Sequence, residues 1–337
     1  MTLSNSMSPT TITCNKTVSP IASRSKAYGV LDLVKPGPSL PGSDCLIRPN
    51  VSLSKLTSFQ VGGPAEWYVA PRNLSDLQSS LAWAQSEGLA VTLLGAGSNL
   101  LVSDRGLRGL VVGTKHLRQI EFDEQKAQVT VGAGVMLPSL AKQIASFGWQ
   151  GFEWAVGIPG TVGGGVVMNA GAHGGSMADI FVEAQVLLAD GTVQTMTLEE
   201  MHYAYRTSIL QKMPRFVAQA TFQLQPGADP AFVQQATTKC LHQRRDTQPY
   251  DMPSCGSVFR NPEPEKAARL IEQAGLKGFR IGGAQVANRH ANFILNADGA
   301  TATDIFNLIY HVQQVVADRW DLHLEPEVRM LGEFNAA

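Results

Sequence analysis

Two glycine-rich stretches carry the clearest signs of a ligand site. The first runs from Gly157 to Gly175 and reads GIPGTVGGGVVMNAGAHGG, with His173 as its only side chain that can carry a charge. Glycine permits close backbone approach and positive φ, and successive free N–H groups form concave sites that bind phosphate. The stretch therefore indicates a pyrophosphate cradle, although a glycine-rich turn between buried strands has the same sequence signature.

The second stretch, Leu93–Leu101, reads LLGAGSNLL and follows a predicted helix and a short apolar run. It does not match G-x-G-x-x-G, and no helix with an acidic residue about 20 positions further on follows it, which argues against a Rossmann site. Two separate glycine loops instead indicate a long ligand held at two places, such as a dinucleotide.

Charged side chains cluster in the last predicted strand. Alternation over Leu322–Met330 places Glu325, Glu327 and Arg329 on the face opposite the apolar residues. This face could simply be solvated, because charged residues are mostly exposed. It could also hold a carboxylate beside an arginine in a pocket, and the alternation does not choose between the two glutamates.

Five more positions stand out in the sequence, and each has a structural interpretation. Arg206, in YRTS after a predicted helix end, could complement the helix dipole or grip a carboxylate through two parallel N–H bonds. Ser257, in SCGSVFRNP, could be an ordinary turn serine. Arg244 and Arg245 could be a solvated pair or a clamp on a diphosphate. Cys255 is interpreted as a small packing residue.

Composition limits the function classes. The 337 residues carry a net charge of −1, with 44% hydrophobic and 16% charged residues, which is ample for two or three packed domains. There is no basic stripe for nucleic acid and no apolar run long enough to span a membrane. Four cysteines without zinc-type spacing, and scattered histidines, predict a reduced cytosolic protein without a metal.

Residues 1–48 differ from the rest, being rich in Ser, Thr and Pro and poor in acidic residues. We predict a disordered extension, with a sparsely basic transit peptide as the alternative. Beyond it, the periodicity predicts strand, helix and strand to about Lys115, mostly strands with an Asp190-Gly191 hairpin turn to about Gln225, and further helices and strands to Met330. The helices are expected at Asp76–Glu87 (after a Ser75–Gln78 capping box), Pro138–Phe147, a short segment from a Thr197–Glu200 capping box to near Arg206, Pro230–Arg245, Glu265–Ala274 and Asp304–Trp320.

Seven segments occur in an order that resembles the UDP-N-acetylenolpyruvoylglucosamine reductase family. They are SFQVGGPAEWYV, LLGAGSNLLVSDRGLRGLVV, GIPGTVGGGVVMNAGAHGG, YRTSIL, SCGSVFRNP, GLKGFRIGGAQVANRHANFILN and LEPEVRMLG, from about Leu53 to Gly332. The resemblance implies an α+β protein, with the two-lobed FAD-binding fold of vanillyl-alcohol-oxidase (PCMH) type plus an α+β substrate domain. The implied domains are residues 49–115, 116–226 and 227–333.

The resemblance also assigns residues. It implies Arg206, Ser257 and Glu327 as catalytic. It implies non-covalent FAD on Gly95, Ala96, Gly97, Ser98, Asn99, Leu100, Gly157, Ile158, Pro159, Gly160, Thr161, Gly163, Gly164, Asn169, Ala170 and Gly171. Substrate contacts are expected at Arg245 (favoured over Arg244), Asn261 and Arg329. His173 is given no role.

The implied reaction is the reduction of UDP-N-acetylglucosamine enolpyruvate by NADPH through FAD, in a cytoplasmic monomer without nucleic-acid or membrane partners. Thr57-Ser58-Phe59 departs from the family's usual Asn-Thr at this point. The short interval between Gly171 and Arg206 leaves no room for the tyrosine loop of one subgroup. A flavin-linked oxidase on the same fold and a non-catalytic flavin-binding module are the two rival interpretations.

Overall fold

The computed structural model describes residues 37–213 and 215–334. The α-helices in these ranges are α1 (Leu74–Ser86), α2 (Leu137–Ser146), α3 (Val162–Met168), α4 (Pro230–Thr247), α5 (Ala267–Gln273) and α6 (Ala302–Trp320). The strands are β1 (Arg48–Ser52), β2 (Pro64–Val69), β3 (Val91–Leu94), β4 (Leu100–Val102), β5 (Leu107–Gly113), β6 (Ile120–Asp123), β7 (Gln128–Gly132), β8 (Gly171–Ala172), β9 (Gly175–Ser176), β10 (Phe181–Leu187), β11 (Val193–Thr197), β12 (Phe216–Gln223), β13 (Arg280–Ile281), β14 (Ala284–Val286), β15 (Ile294–Asn296) and β16 (Arg329–Leu331).

A four-stranded sheet in the order β1-β2-β5-β3 organises the first part of the chain. Strand β1 is antiparallel to β2, whereas β2 and β3 each run parallel to β5. Helix α1 makes the connection between β2 and β3. It buries Leu77, Leu81 and Ala84, as its apolar spacing predicts.

The start of α1 differs from the prediction. Asn73 caps the helix, and its side-chain oxygen accepts from the N–H of Asp76 at 2.8 Å. The predicted capping box of Ser75 and Gln78 is wrong, because an asparagine two residues earlier already supplies the acceptor that the first turn needs.

Residues 37–48 pack against this first sheet. Ser39 and Leu46 form a bridge, and the side chains of Leu40, Cys45 and Ile47 are at most 4% exposed. The prediction of disorder is therefore wrong for residues 37–48, because a few well-spaced apolar side chains in a polar segment suffice to anchor it. Residues 1–36, on which the transit-peptide alternative depends, lie outside the described residues.

A five-stranded antiparallel sheet in the order β11-β10-β12-β7-β6 forms the second part. The predicted Asp190-Gly191 turn connects β10 to β11, and Gly191 has a φ of 81°. The helix predicted after Thr197 is wrong. The Thr197 N–H does donate to Glu200 at 2.8 Å, but the chain then reverses through a tight turn instead of continuing helically.

The third part combines α5 and α6 with the antiparallel strands β13-β14-β15 around a core that also includes Phe59 and Leu101 from the first part. Strand β16 returns to the first part and pairs in parallel with β4. The predicted last strand is shorter than expected: residues 322–328 are irregular, and Pro326, which has no N–H to donate, makes only an isolated bridge to Phe259.

No helix among the described residues is long and apolar enough to cross a membrane. The domain boundaries near residues 115 and 226 stay predictions.

Candidate active site

A cavity of about 800 Å³ lies where the three parts meet. Both glycine loops line it, together with residues from the chain after β11 and from the last strand. Its volume falls within the range of about 300–1,000 Å³ that is usual for ligand sites. The predicted loop residues on its wall are Gly95, Ala96, Gly97, Ser98, Asn99, Leu100, Ile158, Pro159, Gly160, Thr161, Gly163, Gly164, Ala170 and Gly171.

The loops fit a diphosphate. In the described part of the chain, the backbone N–H groups of residues 96–99 and of Gly160 and Thr161 have no protein acceptor. Buried or half-buried N–H groups normally find a partner. A row of such donors at the wall of a cavity is suited to the oxygens of a pyrophosphate.

The two loops also touch each other. A methyl group added at Gly95 would lie 2.6 Å from the hydroxyl oxygen of Thr161, and one added at Gly160 would lie 3.2 Å from that of Ser98. Gly97 has a φ of +63°, and a methyl group there would meet the carbonyl oxygen of Leu56 at 2.3 Å. The close packing of the two loops therefore requires these glycines. The same packing leaves the free N–H groups facing the cavity.

Arg206 reaches the cavity from a tight turn. Ala204 and Thr207 exchange backbone hydrogen bonds of 3.1 and 3.0 Å, so that Tyr205 and Arg206 form the turn between them. Arg206 has a left-handed φ of 57°, and its guanidinium donates to the carbonyl of Gly171 at 2.9 Å. Arg206 is therefore placed by a turn and a glycine loop rather than by a helix end.

Glu327 is the acidic partner of Arg206. Its carboxylate lies 3.0 Å from Arg206 Nε, with the two side chains 15% and 23% exposed. The contact is one of charge rather than an aligned hydrogen bond, because the Nε–H has no acceptor in hydrogen-bonding geometry. Burial raises the pKa of Glu327 above its ordinary value, and the positive charges of Arg206, Arg260 and Arg244 oppose that rise.

The other glutamate of the last segment has a different partner. Glu325 is 65% exposed on its side chain and pairs with Arg260 at 3.0 Å, away from the cavity wall. Sequence alternation puts the two glutamates on one face, but the structure places only Glu327 at the cavity.

Ser257 lies on the same wall because its segment is held between two others. Ser257 bridges to Phe293, and two residues later Phe259 bridges to Pro326. The N–H of Glu327 donates to the carbonyl of Val258 at 2.7 Å. This pairing brings the serine and the glutamate to one cavity across 70 residues of sequence.

The comparisons with known proteins agree with this arrangement. Residues 248–331 match the family pattern described as the UDP-N-acetylenolpyruvoylglucosamine reductase C-terminal domain, and residues 65–197 match that of an FAD binding domain. The chain is 64% identical over 298 residues to the UDP-N-acetylenolpyruvoylglucosamine reductase of Nostoc sp. PCC 7120, covering 88% of this chain and 90% of the relative. It is 56% identical to that of Synechocystis sp. PCC 6803, covering 89% and 95%.

The chain belongs to the UDP-N-acetylenolpyruvoylglucosamine reductase family. Its structure also resembles the crystal structure of the Thermus caldophilus enzyme, with a TM-score of 0.73, 32% identity, and coverage of 85% of this chain and 100% of the other. The protein is an FAD-containing oxidoreductase, and the predicted fold class, α+β with the FAD-binding fold, is confirmed.

Four predicted ligand contacts do not reach the cavity wall. Gly157 instead accepts from the Tyr250 hydroxyl through its carbonyl at 3.1 Å. Asn169 connects the Arg206 turn to the first glycine-rich stretch, donating to the carbonyl of Ala204 at 2.9 Å. Asn261 accepts from the N–H of Ala267 at 3.1 Å, at the start of α5. Arg245, the favoured diphosphate contact, is exposed.

Arg244 takes the place predicted for Arg245. It lines the cavity and packs so closely on Gly157 that a methyl group there would lie 2.4 Å from its Cδ. Helix α4 continues to Thr247, and adjacent helical residues point in directions about 100° apart, so only one of the two arginines can face the cavity. The helix phase, with Val233 and Thr237 buried, is the signal that could have chosen it.

The cavity is strongly basic. Its cationic lining side chains include Lys212 and Arg215, which the sequence analysis missed, besides Arg206, Arg244 and the predicted Arg329. Glu327 is the one acidic residue among the described residues of the wall. Loop cations such as Lys212 carry no motif in the sequence that would distinguish them from solvated residues.

The remaining candidates add little chemistry. Burial raises the pKa of the Cys255 thiol, which keeps it protonated and supports its interpretation as a packing residue. His173 lines the cavity with a left-handed φ of 52°. Within the described ranges no group of three or more His, Cys, Asp or Glu residues could hold a metal ion.

Proposed function

We propose that this protein catalyses the NADPH-dependent reduction of UDP-N-acetylglucosamine enolpyruvate to UDP-N-acetylmuramate, a step of peptidoglycan precursor synthesis that takes place in the cytoplasm. The single observation that carries the proposal is the Arg206–Glu327 pair at 3.0 Å, on the same cavity as Ser257 and both glycine loops. Membership of the reductase family supports the substrate class.

The basic cavity supports a substrate that carries a diphosphate and a carboxylate. Cationic side chains in a partly enclosed site attract anions more strongly than exposed ones, because the local dielectric constant is lower. We assign Arg244, in place of Arg245, to one anionic group of cofactor or substrate. Arg329 lines the same wall.

When bound, FAD would supply the hydride chemistry needed at C3 of the enolpyruvyl group, with NADPH as the reductant. We propose that Gly95–Leu100 and Ile158–Gly164 hold its diphosphate without a covalent link. The GAGSN loop contains no His or Cys to which flavin could be attached. A monomer suffices for this site, since one chain supplies both loops and the three catalytic side chains.

Arg206 stabilises the charge that moves onto the substrate carboxylate during reduction. A fixed cation aimed at developing charge contributes more to the transition state than to the ground state. Glu327 keeps the guanidinium oriented, because the two side chains are ion-paired and largely buried. The pair must be charged for this role.

Ser257 delivers the proton to C2. A serine hydroxyl is a weak acid, so it acts only because the enolate of the substrate is a strong base and the hydroxyl is already in place. The pairing of residues 257–259 with Phe293 and Pro326 provides that placement.

The test is a spectroscopic titration of the purified protein. The protein should be yellow, lose its colour with NADPH under anaerobic conditions, and regain it on addition of UDP-N-acetylglucosamine enolpyruvate. The same reduction with NADH, run in parallel, measures the nucleotide preference. Rapid reoxidation by dioxygen with no response to the enolpyruvyl substrate would overturn the proposal in favour of a flavin-linked oxidase.

A further inference from the structure

The backbone of Arg206 is held in an unfavourable conformation. A left-handed φ on a residue that is neither glycine nor asparagine persists only where surrounding contacts impose it. The φ of Arg206 is 57° and its Nε is buried. The position of the Arg206 guanidinium thus depends on the contacts that hold the backbone carbonyl group of Arg206.

Two side chains donate to the carbonyl oxygen of Arg206. Gln211 donates from Nε2 at 2.9 Å and shares that amide with the carbonyl of Val167 at 3.1 Å. Arg260 donates from Nη2 at 3.3 Å. Gln211 belongs to the same segment as Arg206, whereas Arg260 comes from the segment that carries Ser257, so of these two donors Arg260 is the one that connects the turn to the segment of Ser257.

Arg260 is itself held by two contacts with Glu325. Its Nη1 lies 3.0 Å from the carboxylate of Glu325, and its backbone N–H donates to the carbonyl of Glu325 at 2.9 Å. The side chain is 23% exposed, whereas the ion-paired Arg269 on the surface is 66% exposed. An arginine whose two terminal nitrogens contact two different partners is held in one orientation, unlike a mobile side chain on the surface.

We propose that Arg260 is a positioning residue for the reduction. It clamps the carbonyl of Arg206, with Glu325 as its anchor, and so keeps the Arg206–Glu327 pair at a fixed position relative to Ser257. The inference rests on the roles proposed for Arg206, Glu327 and Ser257. It also gives Glu325 a function, as the carboxylate that anchors the clamp instead of the one that meets the substrate.

The clamp acts on the substrate half-reaction and on the pH at which Glu327 ionises. The groups facing Glu327 are the guanidinium groups of Arg206, Arg244 and Arg260 and the thiol of Cys255. Loss of the Arg260 charge raises the pKa of Glu327, because one of the three cations that favour the carboxylate disappears. That shift reports the charge of Arg260, whereas the reoxidation rate of Arg260→Lys, which keeps the charge, reports the clamp.

The test compares Arg260→Met with Arg269→Met in the FAD-loaded protein. Arg269 also pairs with a glutamate, Glu265 at 3.7 Å, but it lies outside the cavity. The measurements are flavin content, melting temperature, the rate of flavin reduction by NADPH, the rate of reoxidation by the enolpyruvyl substrate against pH, and calorimetric binding of UDP-N-acetylmuramate.

For Arg260→Met we expect normal flavin content and normal reduction by NADPH. Reoxidation by substrate should slow about 10- to 100-fold, as expected when a reacting group is displaced by a fraction of an ångström to an ångström. The acid limb of the reoxidation rate should move to higher pH, and the product UDP-N-acetylmuramate should bind more weakly. Arg260→Lys keeps the charge but cannot span both partners, so it should restore the pH profile and leave the rate low.

Glu325→Gln gives an independent readout, because its side chain is largely exposed and the substitution preserves its shape. It should slow reoxidation in the same direction, and its effect should not add to that of Arg260→Met. If Arg260→Met fails to fold, Arg260→Lys and Glu325→Gln carry the test.

Reoxidation rates and pH profiles equal to those of Arg269→Met would overturn the clamp, provided that Arg206→Lys is impaired in the same assay. Normal reoxidation in Arg206→Lys as well would overturn the proposed function on which the clamp rests.

Discussion

Asn99, in the second glycine loop (Leu93–Leu101), donates from its side-chain amide to the backbone carbonyl of Glu327 at 3.1 Å. Its own carbonyl accepts from the N–H of Arg329 at 3.0 Å, so that Asn99 contacts the residues on both sides of Val328. The loop proposed to hold FAD and the carboxylate proposed to orient Arg206 are thereby fixed to each other.

Replacing Asn99 by alanine should weaken the connection between its glycine loop and Glu327. The backbone bond to Arg329 remains, whereas the bond to Glu327 is lost, which typically costs about 0.5–1.5 kcal/mol. We expect a slower reoxidation by substrate, about tenfold, with flavin still bound.

The control is Asn73→Ala, which removes the α1 cap and about 1 kcal/mol of stability far from the cavity. It should lower the melting temperature to a similar extent without changing either half-reaction. Equal half-reaction rates in the two variants would mean that the Asn99 contact has only a structural role.

Gly164 offers a direct test of the cofactor cradle. A methyl group there meets only the hydroxyl of Thr161, at 3.6 Å, so the protein itself tolerates a side chain at this position. Gly164→Val should therefore give folded but colourless protein, because the branched side chain occupies space on the cavity wall. Flavin absorbance and the melting temperature of the purified variant separate loss of FAD from misfolding.

Gly97→Val is the contrasting variant to Gly164→Val. Its added carbon atoms would collide with the backbone of Leu56, so this variant should fail to fold and says nothing specific about FAD. Full flavin absorbance in Gly164→Val would show that this part of the loop does not face the cofactor.

Reoxidation by substrate should fall on the acid side as Glu327 is protonated. Burial raises its pKa above the ordinary carboxyl value, so the loss should begin at a higher pH than for an exposed glutamate. A folded pKa above the unfolded one means that this group favours folding most at low pH and loses that contribution as pH rises through the folded pKa. Activity and stability should therefore change in opposite directions through this window.

The pH profile of reoxidation, with melting temperatures at the same pH values, checks this. Glu327→Gln should abolish the acid limb along with most of the rate. An acid limb that persists in Glu327→Gln would assign it to another group.

The segment of residues 37–48 should stabilise the protein. Removing residues 1–48 takes away the buried side chains of Leu40, Cys45 and Ile47 and should lower the melting temperature markedly. Ile47→Ala alone should cost about 2–5 kcal/mol. Leu46→Ala is the matched control, because Leu46 is 51% exposed on the same segment. Equal melting temperatures for the two alanine variants would contradict a structural role for this segment.

The sequence predicts the parts of this protein that depend on local periodicity. Helix α6 and the strands of the second sheet follow from apolar spacing, and glycine loops are visible because few other residues allow such close backbone packing. The Arg206 turn and the irregular segment before Arg329 could not be predicted in this way, because they are imposed by long-range contacts to Asn169, Val258 and Phe259.

The same distinction applies to the site. Alternation cannot separate Glu325 from Glu327, since the difference between them is which arginine each one meets. Arg260 shows no signal of its own in the sequence, because its role depends on the carbonyl of a residue 54 positions earlier.

The most direct test of the proposed chemistry is stopped-flow measurement of the two half-reactions in Ser257→Ala, with Ser146→Ala, an exposed serine on α2, as the control. If Ser257 protonates C2, Ser257→Ala binds FAD and is reduced by NADPH at a near-normal rate, whereas its reoxidation by UDP-N-acetylglucosamine enolpyruvate falls about 10²–10⁴-fold. Slow reduction by NADPH combined with normal reoxidation by the substrate would contradict the assignment of Ser257 as the proton donor.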